Sequence, residues 1–175
     1  MDKKQARAFE GFVAQSGDTL LRIAILLTCD PHLAEDVYQE TLQRLAARWS
    51  RIDNPMAFCR RVLHNIVIDQ NRARSRRPAE TVMFDAFDSF DPRAGDPLRA
   101  VELRPTLLGA LSTLTPQQRA IVVLRYFDDR SEAEVAELLG VSAGTVKSTA
   151  SRAVAQLRTQ PALAALFAPS DPHFS

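Results

Sequence analysis

The sequence predicts an all-α protein: two small helical domains joined by a flexible acidic linker, the second domain ending in a helix-turn-helix. Three observations carry this. Apolar residues recur at steps of three and four in capped segments, no sustained alternation marks a strand, and a proline-bearing acidic stretch separates two helical blocks. The boundaries that follow are 1–77, a linker 78–98, a second domain 99–160 and a tail 161–175.

Phe9, Phe12, Val13, Leu20, Leu21, Ile23, Ala24 and Leu27 predict a first helix from about Gln5 to Leu27, bent near Gly17. Asp30-Pro31 then starts a second helix, Pro31 to about Arg48. It buries Leu33, Val37, Leu42 and Leu45 and exposes Glu35, Asp36, Gln39, Glu40 and Arg44. After the loop Ser50 to Asp53, Asn54 caps a third helix with Pro55 at its first position. Met56, Phe58, Val62, Leu63, Ile66 and Val67 are its apolar positions, and it runs out at about Arg76 in a polar, arginine-rich ramp.

From Pro78 to Leu98 the chain has three Pro, one Gly and five acids without a sustained period, which reads as a linker. Its 21 residues can span about 70 Å when extended. Phe84, Phe87 and Phe90 are open to three readings: a transient helix, docking points on a partner, or packing back onto a domain. A helix from about Arg99 to Ser112, started or interrupted near Pro105, opens the second domain.

The last three helices have the plainest boundaries. Thr115 with Gln118 forms a capping box around Pro116, opening a helix to about Phe127. Ser131 with Glu134 forms a second box, Gly140 supplies the left-handed turn residue, and Ser142 caps the final helix. Ala136, Gly140 and Val146 stand at helix-turn-helix spacing. Val146, Ala150, Val154 and Leu157 form the inward face of the final helix; Thr145, Lys147, Ser148, Ser151 and Arg152 lie opposite. No acid interrupts Ala143 to Arg158, so this helix can approach phosphates while its polar side chains reach base edges. The competing reading is a helical bundle with a solvated polar face.

The net charge of +1 over 175 residues conceals an uneven distribution. Residues 44–77 hold nine arginines against two acids, and residues 78–105 hold six acids against three arginines. No run approaches the roughly 20 apolar residues of a membrane span, and the charged N-terminus has no apolar signal core. A cytoplasmic protein without membrane insertion is expected. Cys29 and Cys59 form no ligand spacing with His32, His64 and His173, so buried thiols are expected rather than a metal or redox site. Neither a phosphate loop nor a nucleophile–base arrangement is apparent, so neither a cofactor nor an enzymatic activity is expected.

Several long segments carry a family resemblance: AEDVYQETL (34–42), RWSRIDNPMAFCRRVLHNIVIDQNR (48–72), LTPQQRAIVVLRYFDDRSEAEVAELLGVSAGTVKS (114–148) and SRAVAQLR (151–158). In this order they resemble a bacterial RNA polymerase sigma factor of the extracytoplasmic-function group, nearest its actinobacterial SigE-like branch. The resemblance implies a promoter-specificity subunit that binds core RNA polymerase through its clamp helices and flap, reads promoter DNA and assists melting. An anti-sigma factor is a further partner that the family leaves open.

By the same resemblance Asp36, Gln39 and Glu40 match the polymerase-binding face. Ser50 to Pro55 resembles the loop that accepts a flipped base of the minus-10 element, with Trp49, Arg51, Asp53, Asn54 and Met56 as candidates; Trp49 reads equally well as core. Arg60, Arg61, Asn65 and Arg72, with Asp69, Arg74, Arg76 and Arg77 nearby, match the helix at the upstream edge of the bubble; the arginines suit phosphate clamping, and the competing reading for some is pairing with carboxylates of the fold, Asp69 being one candidate. Ser142, Thr145, Lys147, Ser148, Ser151 and Arg152 match the minus-35 reader. Asp85, Asp88, Asp91 and Asp96 suit a nucleic-acid mimic inside the polymerase, or simply a solvated tether. The rival to this reading is a stand-alone helix-turn-helix regulator, which would need a dimerisation surface; no heptad seam supplies one.

Overall fold

The computed structural model describes residues 2–75 and 105–160. The whole predicted linker, Arg76, Arg77, the start of the fourth helix and the tail lie outside the described residues. Within them the chain forms seven α-helices: α1 Lys3–Thr28, α2 Pro31–Ala46, α3 Pro55–Ser75, α4 Pro105–Ser112, α5 Pro116–Val122, α6 Glu132–Leu139 and α7 Ala143–Arg158. A 3-10 turn, Trp49–Arg51, links α2 to α3, and a π turn, Val123–Phe127, extends α5.

Local chemistry sets the ends of these helices. Asp2 and Gln5 form a capping box on α1, and Cys29 closes it in the left-handed region at φ 56°, its N–H on the Ile25 carbonyl at 2.8 Å. Asp30 then caps α2, accepting from the His32 and Leu33 amides at 3.0 and 3.1 Å. Thr28 Oγ1 ties the corner, its one proton shared between Ala24 O and Asp30 O, each at 2.9 Å. Asn54 Oδ1 accepts from the Ala57 amide at 3.0 Å at the start of α3.

α1 runs unbroken through Gly17, which is buried with the Tyr38 hydroxyl of α2 2.8 Å from where a Cβ would stand. One sequence expectation changes here. The helix expected from Pro116 to Phe127 is α-helical only to Val122. Beyond it the Asp128 amide reaches back five residues to the Val123 carbonyl at 3.1 Å, the spacing of a π turn.

The larger finding concerns the two halves. They are packed together: one apolar cluster joins Leu20, Ile23, Leu27 and Leu63 of the first half to Leu107, Leu111, Val123 and Leu157 of the second. α1 and α3 contact α5, α1 also touches α4 and the π turn, and α3 touches α6. A second cluster, Ile121, Leu124, Val135, Val146 and Ala150, holds the helix-turn-helix itself.

Arg119 crosses the seam. Its guanidinium donates to Leu111 O and Leu27 O at 2.9 Å and to Leu114 O at 3.2 Å. Leu27 and Leu111 lie in the last turns of α1 and α4, where carbonyls have no helical partner and carry the negative end of the helix dipole. A single buried cation thus satisfies helix ends from both halves.

Candidate nucleic-acid interface

Helix α7 is built as the sequence predicts. Ser142 Oγ accepts from the Thr145 amide at 3.0 Å, and Gly140 at φ 67° lets the Val141 amide close on Ala136 O at 3.0 Å. Val146, Ala150, Val154 and Leu157 are buried, which turns Ser142, Thr145, Lys147, Ser148, Ser151 and Arg152 to solvent. Arg152 leans back along the helix, its Nε on Ser148 O at 3.3 Å. The preceding helix is fixed by the Ser131–Glu134 box, and the hydrogen bonds from the Ser131 amide and hydroxyl hold the Glu134 carboxyl below its usual range.

The first half divides its candidates. Asp36 and Gln39 are exposed on α2, one helical turn apart on a shared face. Glu40 is half-buried and already paired with Arg44 one turn on. Beside Gln39 an apolar groove of about 500 Å³ opens between α1 and α2, lined by Phe9, Val13, Ala14, Leu42 and Ala46. Sequence reading placed Phe9 and Val13, four apart, on the apolar face of the first helix and Leu42 among the buried positions of the second; that the two helices leave a groove open between them was not visible.

Around the loop, Arg51, Asp53 and Asn54 are exposed. Trp49 is half-buried with its ring edge-on to Phe9 at 5.3 Å and tilted against Phe12 at 5.7 Å, and Met56 packs on the same core. Of the two readings open for Trp49, the ring contacts belong to packing. On α3, Arg61, Asn65 and Arg72 are exposed. Asn65 Oδ1 lies 3.3 Å from His64 Nδ1, and Arg72 keeps only a loose 4.0 Å approach to Asp69.

Arg60 departs from expectation. It is 9% exposed and bound two-pronged to Asp128 of the second half, Nη2 donating to Oδ1 at 2.8 Å and Nε to Oδ2. In this arrangement it faces a carboxylate, not solvent. Its spacing carried the signal: Met56, Arg60, Leu63 and Val67 form one stripe at steps of four, three and four. Among the described residues no group of three His, Cys, Asp or Glu is placed to hold a metal ion, and no helix is long and apolar enough to cross a membrane.

Family models for Sigma-70 region 2 and Sigma-70 region 4 match residues 12–77 and 105–157. The chain is 38% identical over 157 residues to the RNA polymerase sigma-E factor of Streptomyces coelicolor, covering 87% of this chain and 85% of that protein. It is 34% identical over 144 residues to the ECF RNA polymerase sigma factor SigL of Mycobacterium tuberculosis, covering 79% and 80%. Among solved structures it resembles the sigma factor RpoE of Bartonella quintana, crystallised with the anti-sigma factor NepR. The TM-score is 0.71 at 25% identity, covering 87% of this chain and 96% of that one. CnrH in complex with the cytosolic domain of CnrY has the same fold, at TM-score 0.63 and 24% identity over 88% of this chain and 87% of that one.

Proposed function

The chain belongs to the sigma-70 family of RNA polymerase sigma factors, in its extracytoplasmic-function group, and directs the initiation of transcription; from that premise we propose how its residues divide the work. Residues 1–77 act as region 2, holding core polymerase and the minus-10 element. Residues 99–160 act as region 4, reading the minus-35 element, and 78–98 tether them. The protein works in the cytoplasm on promoter DNA and catalyses no reaction; binding energy drives melting.

Polymerase is bound through Asp36, Gln39 and Glu40, with the groove between α1 and α2 taking apolar side chains of the polymerase clamp helices. The exposed Asp36 carboxylate, with Glu40 one turn on once it leaves Arg44, steers a basic partner, and the adjoining apolar surface holds it. An anti-sigma protein would compete for these surfaces. The flipped minus-10 base is received by Arg51, Asp53, Asn54 and Met56 over a floor made by Trp49; base stacking of this kind is worth about 1–3 kcal/mol. Arg60, Arg61, Asn65 and Arg72 hold the strand upstream.

The observation that carries the reading is the exposed, acid-free face of α7 on a rigidly capped helix-turn-helix. Lys147 and Arg152 clamp phosphates while Ser142, Thr145, Ser148 and Ser151 reach base edges. Short hydroxyls discriminate weakly, so DNA shape supplies part of the selection. The test is transcription from a random promoter library with core polymerase and this protein, each omitted in turn. Initiation at a shared two-part motif only with both present is expected; tight duplex binding without initiation would overturn the reading.

A further inference from the structure

The contact between Arg60 and Asp128 joins the two halves by opposite charges in a place where water is largely excluded. Arg60 is 9% exposed and Asp128 8% exposed. Arg119, the other cation buried at the seam, donates to neutral carbonyls, whereas Arg60 meets a carboxylate with both prongs of its fork. That geometry is the one a guanidinium uses on two oxygens of a phosphate.

Asp128 is aimed by its own segment. The π turn ends on its amide, its carbonyl accepts from Arg130 Nε at 2.8 Å, and Asp129 follows in the left-handed region at φ 50°. Arg130 also approaches the carboxylate, with Nε 3.6 Å from Oδ2. The carboxylate is therefore presented to the first half by a formed loop, not by a floppy side chain.

We propose that this pair is an intramolecular latch in which Asp128 holds, in the free chain, the place on Arg60 that a DNA phosphate takes in the open one. The proposal rests on the reading that Arg60 binds the promoter strand. Closure and strand binding then compete for one guanidinium, and region 2 is held below its full affinity until the halves separate. Buried pairs contribute little net stability against an apolar substitute, yet losing one partner is costly. The latch is accordingly displaceable by a polyanion but fails when Asp128 alone loses its charge. The outward face of α7 is exposed in the closed arrangement, so the device acts on region 2.

The test uses the full chain in Asp128→Asn, with Glu137→Gln as an exposed substitution making the same charge change on the same half. Small-angle scattering reads closure, and anisotropy of a labelled mixed-sequence single-stranded oligonucleotide reads strand binding. Asp128→Asn should enlarge the radius of gyration and tighten oligonucleotide binding at least about fivefold, while Glu137→Gln does neither. Arg60→Ala combined with Asp128→Asn should abolish the gain. The exchanged pair, Arg60→Asp with Asp128→Arg, should restore compactness without the gain. An unchanged radius in Asp128→Asn, or an exchanged pair that stays open, overturns the latch. Opening with no affinity gain, or a gain that survives Arg60→Ala, overturns instead the role of Arg60 on DNA and the competition built on it.

Discussion

Cys29 and Cys59 sit in the core, and burial pushes their thiols up to about 11 and about 12. From pH 9.0, the ordinary thiol value, the unfolded chain releases protons that the folded chain retains. The stability contributed by the neutral thiols is complete below that pH and is lost as pH rises through the folded values. Iodoacetamide at pH 8 should therefore label the native chain far more slowly than the urea-unfolded one, and the urea midpoint should fall as pH is raised above 9. Equal labelling rates would show that the thiols are reached without unfolding. The sequence showed that these cysteines lack ligand spacing; it did not show the depth at which they lie.

At the scale of the element, α1 and α2 approach at Gly17. A methyl group there would meet the Tyr38 hydroxyl at 2.8 Å, whereas the ring carbon behind it is 3.9 Å away. Gly17→Ala should give no net stabilisation in the native sequence, because contact strain offsets the helix-propensity gain. With Tyr38→Phe it should stabilise by up to about 1 kcal/mol, measured by chemical denaturation as a double-mutant cycle. A full gain in the single variant would mean that the tyrosine moves freely. On α7, replacing Lys147 and Arg152 with alanine should weaken promoters that depend on the minus-35 element. It should also flatten the salt dependence of binding by up to about two phosphate contacts. An unchanged slope would remove both from the phosphate clamp.

These elements also show how far sequence reading reaches. The capping boxes at Thr115 and Ser131, the left-handed Gly140 and the Ser142 cap were legible because each is a bond among residues at most four apart. Asn54 and the exposed face of α7 were legible for the same reason. The π turn was not, since VLRYF has the composition of an ordinary helix and its ladder changes only by one residue of reach. Nor was the pairing of Arg60, whose partner is 68 residues distant.

For the whole molecule, charge reversal at Asp36 and Glu40 to arginine should abolish polymerase binding while helicity, read by circular dichroism, is retained. Retained binding would take that face out of the mechanism. On the proposed reading the two elements are named for positions about 25 base pairs apart, roughly 85 Å at 3.4 Å per step. Helix α1, with 26 residues, is only about 39 Å long. On that reading the packed halves part for both elements to be engaged at once, exposing Leu107, Leu111 and their neighbours unless polymerase covers them.

Because both halves belong to one chain, closing the seam is a first-order event. Diluting the protein does not open it, and making more of it does not shut it. A cell holding few copies and a cell holding many would keep the same proportion closed, so synthesis sets how many molecules exist while competitors and ionic strength set how many are ready.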